Sequence, residues 1–229
     1  MLILIVFPFG LISADTEPVG FQVKYSIYFG DLKIGNSIRT VVNGNDGNIY
    51  AEHDVRAGGL LRLLGEDSYI QRSTLQYSGD EVIPIAFKIT NESNNEVASA
   101  EFDWTNRKVL FGSGKVFDMP DHQTVDWESW YVQLILRRTE SLENQYMTVV
   151  EQSRLRSYVF QDAVPEQINF RGNTVDAVKI TMQDVDSKTR KYVVWVYPEM
   201  HNVPIRIDKI RKGQGVSFIA TLFEFVYPE

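Results

Sequence analysis

The chain has 229 residues, a formal net charge of -7 and no cysteine. That length buries a substantial core in one large domain and suits a β sandwich or a barrel-like sheet. The acidic balance gives no support to wholesale binding of nucleic acid or an anionic membrane. The missing thiols exclude disulfide staples, thiol catalysis and thiolate metal sites. The basic pairs Arg137-Arg138 and Arg211-Lys212 are brief and read as solvated ends of elements.

The chain opens with an uncharged apolar run from Leu2 to Ile12, followed by Ser13-Ala14 and acidic Asp15. This is the pattern of a signal peptide over residues 1–14, cut after Ala14. The run is too short for an ordinary membrane span. A buried first strand is the alternative. Residues 15–229 then form a single β-rich domain, with no linker, repeat or low-complexity stretch to divide them.

Phe21, Val23, Tyr25, Ile27 and Phe29 alternate with polar residues, the period of a strand covered on one face. After Gly30-Asp31, Leu32, Ile34, Ile38, Thr40 and Val42 continue the strand signal, and Gly35 marks a bulge or a close backbone approach. Asn43 to Asn48 is a hairpin connection, because Asn-Gly and Asp-Gly tolerate positive φ. Ile49 to Val55 returns. Residues 56–64 break the pattern with a Gly-Gly step and a leucine-rich run, read as core packing or a mobile cover.

Strands resume at Tyr69–Tyr77 and Ile83–Thr90, and a hairpin follows at Glu96–Trp104 and Lys108–Phe111. Phe117 to Gln123 reads as a loop. Residues 124–139 are the best helix candidate, since Val125, Trp127, Trp130, Tyr131, Leu134 and Ile135 recur at helical spacing, with Thr124 as an imperfect cap. The second half is again hairpins: 146–151 with 155–162, 175–183 with 191–197, and 204–210 with 216–226.

No catalytic or metal motif is present. His53, His122 and His201 lack paired metal-ligand spacing, so no metal or other cofactor is expected. Asp103, Asp118, Asp121, Asp126 and Glu128 gather near the helix start, where acids are favourable in any case. Asp184, Asp186 and Ser187 read as a turn rather than a calcium loop. No serine lies in a nucleophile motif.

Phe102-Asp103-Trp104, Val109 and Val125-Asp126 precede Tyr131, Leu134 and Leu136-Arg137. With Tyr25, Gly30 and Gly35 before them, and Val194 to Pro198 and Val203 to Ile207 after, this order resembles the DUF3108 family of bacterial exported proteins. The resemblance runs from about Phe21 to Phe225. It implies a mainly β periplasmic protein: one strongly curved antiparallel sheet, an unclosed barrel similar to lipoprotein carriers, with the single helix of residues 124–139 packed on it. It carries no catalytic residues, because the family has no assigned activity.

The leading expectation is therefore a non-enzymatic periplasmic, cell-envelope protein that does not span the membrane. It would bind an apolar or amphipathic ligand such as a lipid, or an envelope protein partner, in its concave face. Phe87, Phe102, Trp104, Trp127, Trp195 and Phe223 are the expected lining residues. A glycan hydrolase using Asp103, Asp121 or Asp126 is the rival, and a structural assembly component with an exposed sheet edge is a third reading.

Overall fold

The computed structural model describes residues 20–59, 68–79, 81–136 and 144–227. The leader over residues 1–14, the leucine-rich run at 60–64 and the last residues of the expected helix, 137–139, lie outside them.

The strands follow one another as a meander. β1 (Gly20–Phe29), β2 (Leu32–Asn43), β3 (Asn48–Ala57), β4 (Tyr69–Ser78) and β5 (Glu81–Asn91) make the first long hairpins. β6 (Glu96–Asp103), β7 (Lys108–Phe111), β8 (Val116–Asp118) and β9 (Gln123–Val125) shorten progressively into the helix α1 (Trp127–Leu136). β10 (Tyr146–Val150), β11 (Leu155–Phe170), β12 (Asn173–Asp184), β13 (Arg190–Tyr197), β14 (Val203–Arg211) and β15 (Gln214–Val226) complete the sheet.

All fifteen strands belong to one sheet, ordered β8 to β1, then β15 down to β9. Every pairing is antiparallel except β9 with β10. The wall is joined in its middle by β1 and β15, where Gly20 faces Val226 and Phe29 faces Val216. Its two edges, β8 and β9, are three residues each and are joined by residues 119–122. The sheet is thus a curved, unclosed barrel, and such short edges offer little backbone for stray pairing.

Bulges bend the wall. The register shifts between Lys24 and Tyr25, Ile27 and Tyr28, Thr74 and Leu75, Phe160 and Asp162, and Trp195 and Val196. Gly35 sits at the second of these, opposite Ile27, as its position in the strand predicts. Pro84 and Pro204 lie at the third and fifth, where a residue without an N–H donor does least harm to the ladder.

The inner face of this wall is set by Tyr25 and Ile27 of β1, Phe218 of β15, Ile207 of β14, Val194 of β13 and Ile180 of β12, which pair across the strands. With Tyr131 and Trp130 of α1 they belong to the main core cluster, except Ile27, which packs with Ile34 and Val55. The helix touches β3, β4 and β5 on one arm of the sheet and β14 on the other. It therefore fills the hollow and does not lie on an outer surface. That explains why it is buried nearly all round, polar Glu128, Ser129 and Gln133 included.

Two details differ from the sequence reading. The helix begins at Trp127, and Thr124 belongs to β9. The cap is Asp126: its Oδ1 accepts from Ser129 N at 2.7 Å, while Ser129 Oγ accepts from Asp126 N at 3.0 Å, a reciprocal box closing the first turn. In β2, Ser37, Arg39 and Val41 are buried while Ile38 and Thr40 are less so, the opposite phase to the one hydropathy selects.

Candidate functional site

Where α1 meets β1, β2 and β3, the hollow is polar. Arg39 points inward from β2, and its Nη1 donates to Glu128 Oε2 at 2.7 Å. The Glu128 side chain is 1% exposed and that of Arg39 10%. The Arg39 guanidinium also lies 4.4 Å over the Tyr131 ring, whose negative face favours a cation. Tyr25 donates to Pro204 O at 2.7 Å, and its oxygen lies 2.7 Å from Tyr131 Oη. A carbonyl can only accept, so Tyr25 spends its proton on Pro204 and Tyr131 must donate to Tyr25.

His53 approaches from β3. Its Nδ1 stands 3.6 Å from Glu128 Oε1, too far for a hydrogen bond, and its ring packs edge-on to Tyr69 at 6.0 Å. Asp126, with no exposure, stands two residues before Glu128. Glu128 Oε1, His53 Nε2 and Asp126 Oδ2 are buried with no hydrogen-bond partner among the described residues.

Burial sets the charge states. It raises the Glu128 carboxyl to about 7, although Arg39 opposes the shift. It raises Asp126 as well. Burial, followed by the neighbouring Arg39, holds His53 well below the ordinary imidazole range. For Arg39, burial works against the charge, but Glu128 and the tyrosines more than restore it. The result is one carboxyl that titrates near neutrality, beside an imidazole that resists protonation. Such an arrangement can hold or pass a proton, and it fixes the position of the helix, because a buried charge tolerates only its paired geometry.

A second link crosses the open seam of the barrel. Gln123 of β9 donates through Nε2 to Gln133 Oε1 at 2.6 Å, and Gln133 Nε2 donates to Val82 O of β5 at 2.7 Å. The helix thus stitches together two strands that have no ladder between them. Beside the stitch is a small open cavity of about 60 Å³, lined among others by Trp104, Met119, His122 and Thr124.

The expected lining residues divide among four places. Phe87, Phe102 and Trp104 form one aromatic group near the seam, with Phe102 and Trp104 stacked at 6.2 Å. Trp104 Nε1 donates to Pro84 O and its ring borders the cavity. Trp127 belongs to the main core, 4.7 Å from Tyr192 and 5.9 Å from Tyr158. Phe223 lies at the rim, stacked on Phe21 at 6.1 Å and on His201 at 5.9 Å. Trp195 is on the outer face: it pairs with Lys179 and Arg206, donates to Glu166 and carries the Arg206 guanidinium 4.8 Å over its ring. It alternates with inward Val194 and Val196, so it does not line the hollow.

Of the three carboxylates weighed for hydrolysis, Asp103 holds the β6–β7 turn through Asn106, Asp121 is exposed beside Arg107, and Asp126 turns inward. Sequence reasoning did not find Arg39, His53, Tyr25 or Tyr131 as a site. β2 mixes polar and apolar residues, so no local sign set Arg39 apart.

Residues 24–219 match the model of the DUF3108 family, described as a protein of unknown function. No curated protein matches the chain. Among solved structures, a β-barrel-like DUF1849 protein from Brucella abortus is similar over 92% of this chain and 99% of its own, at 10% identity and a TM-score of 0.58. MucB is a looser likeness: 9% identity, 94% of this chain, 56% of its own and a TM-score of 0.37. A DUF1329 protein from Desulfovibrio piger gives 9%, 91%, 86% and 0.34 for the same quantities. Among the described residues, no helix is long and apolar enough to cross a membrane.

Proposed function

Because the chain belongs to the DUF3108 family, whose function is unknown, we propose that it is a periplasmic binding protein without catalytic activity. It takes an apolar or amphipathic ligand into the hollow of its curved sheet, beside α1 or in its place. The expected leader over residues 1–14 supports export.

The observation that carries this reading is what fills the hollow. A well-packed apolar core is the more stable filling. Here the filling is a ten-residue helix that packs Trp130, Tyr131 and Leu134 into the core and is positioned by a buried ion pair, Arg39 with Glu128, and by a two-glutamine stitch. A plug whose placement depends on a few specific polar contacts is one that another molecule can shift or displace. The aromatic group of Phe87, Phe102 and Trp104 beside the seam supplies apolar surface for such a molecule. The glycan hydrolase reading gains nothing from the carboxylates, since Asp103 and Asp121 are occupied at turns and Asp126 is buried.

Native mass spectrometry of protein purified from its own envelope tests the proposal. The expected result is a bound mass released on activation and identifiable as a lipid or similar amphiphile. A spectrum of bare protein under gentle conditions, unchanged after incubation with envelope lipid extract, overturns it.

A further inference from the structure

Most of the described lysines and arginines have a carboxylate partner, Arg39, Arg56, Arg72, Arg107, Arg156 and Arg206 among them. Lys188, Lys191, Lys209, Arg211 and Lys212 have none among the described residues. The fold brings these five together. Lys188 is on the β12–β13 turn and Lys191 is the second residue of β13, while Lys209 and Arg211 lie at the end of β14 and Lys212 is on the β14–β15 turn. The two turns touch, with Lys212 N donating to Thr189 O at 2.9 Å.

Arg190 and Arg211 stand directly opposite each other in the ladder, a like-charge pairing that costs stability. Asp184, its side chain unexposed, is shared by Arg156 and Arg190 and so offsets part of that cost, and Asp208 holds Arg206. Asp186 on the β12–β13 turn and Asp31 on the β1–β2 turn are the exposed carboxylates of these tips among the described residues. The five unpaired cations outnumber these two, so this end is positive in a chain of net charge -7.

Exposed aliphatic side chains share that end. Val185, on the β12–β13 turn, is 50% exposed. Leu32, 56% exposed, pairs with Phe29, which pairs with Val216, which pairs with Lys209, so it stands on the same rim.

We infer that these hairpin tips dock on an anionic lipid bilayer. The cations meet headgroup phosphates, and Val185 and Leu32 enter the boundary beneath them. The acidic remainder of the molecule is repelled by the same surface and so turns this end toward it. A nucleic acid or a soluble polyanion would use the cations but gain nothing from exposed aliphatic side chains, whereas a bilayer uses both. The residues are scattered from Lys188 to Lys212 and across two turns, which is why Arg211-Lys212 alone reads as a solvated end.

Vesicle flotation of the full chain tests this, with phosphatidylcholine alone compared with phosphatidylcholine mixed with phosphatidylglycerol. Any apolar affinity of residues 1–14 is common to both vesicles and all variants, so the difference between vesicles reports the tips. The chain is expected to float preferentially with the anionic vesicles. Each cation near the surface contributes about five-fold, so the triple variant Lys209→Gln, Arg211→Gln, Lys212→Gln should lower that partition about 100-fold. Leu32→Gln with Val185→Gln should lower it on anionic vesicles while leaving attraction to a soluble polyanion unchanged. All five positions are exposed, and circular dichroism checks that the variants fold. Equal partition into both vesicles, no partition, or an unaffected triple variant overturns the inference.

Discussion

Arg39 and Glu128 meet at 2.7 Å although 89 residues separate them, and their contact pins the helix to the strand wall. The Arg39 charge is tolerable in that place only beside the carboxylate. Two different consequences follow for substitution.

Glu128→Leu alone leaves the Arg39 charge buried without its partner and should destabilise the fold by about 3–5 kcal/mol. Arg39→Leu leaves a carboxyl that burial already pushes toward its protonated form, and should cost less. The double replacement removes both charges and should recover much of the loss. Denaturant midpoints of the four proteins, read as a double-mutant cycle, decide the matter.

Glu128 also gives the stability a pH dependence. Its folded value, about 7, lies above the ordinary carboxyl range, so the folded state holds a proton that the unfolded chain releases first. The stability this contributes is complete below the unfolded value and is lost as pH rises through about 7. In Glu128→Gln the slope of unfolding free energy against pH should flatten between about 4.5 and 7. His53 acts in the opposite sense: its value is depressed, so its contribution is present above the ordinary imidazole value and is lost on acidification. His53→Gln should remove part of the acid-side loss. Both are read from denaturation series across pH.

Tyr25→Phe deletes the donor to Pro204 O and the acceptor of the Tyr131 proton. The two buried groups left unsatisfied should cost about 1–3 kcal/mol. Thermal unfolding measures it, and an unchanged midpoint would show that these hydroxyls find other partners.

Gln133→Leu should loosen the seam rather than the whole fold. Val82 O and the Gln123 side chain lose their partner, while α1 keeps its ion pair. Amide exchange should quicken in β9 and in the first half of β5 and stay unchanged in β1 and β15. Uniform acceleration would mean that the stitch serves global stability.

The hairpin architecture was legible because turn chemistry and period-two alternation are local. Asn43 to Asn48, with Gly47 at φ 81°, turns where its sequence says it should. The phase of β2 was not legible. Ile38, Thr40 and Val42 outrank Ser37 and Arg39 in hydropathy, yet the polar pair faces inward. Only the carboxylate on a distant helix makes burying Arg39 tolerable, and no window of neighbouring residues contains it. The same holds for the cap: Asp126 and Ser129 form a box once β9 has fixed where the helix begins. Trp195 is the converse case, a buried aromatic residue whose ring is held beside Arg206 and Glu166 on the outer side of β13.

The ladder between β1 and β15 has a bearing on how the molecule is made. Val23 must wait for Phe223, two hundred residues later, before the two arms share a hydrogen bond. Contacts that far apart are slow to find, because so much chain entropy is lost in closing the ring. β15 is thus the keystone, and without it the wall is two separate arms. The export proposed above would gain from that delay, since a chain that has not joined its arms can still be threaded.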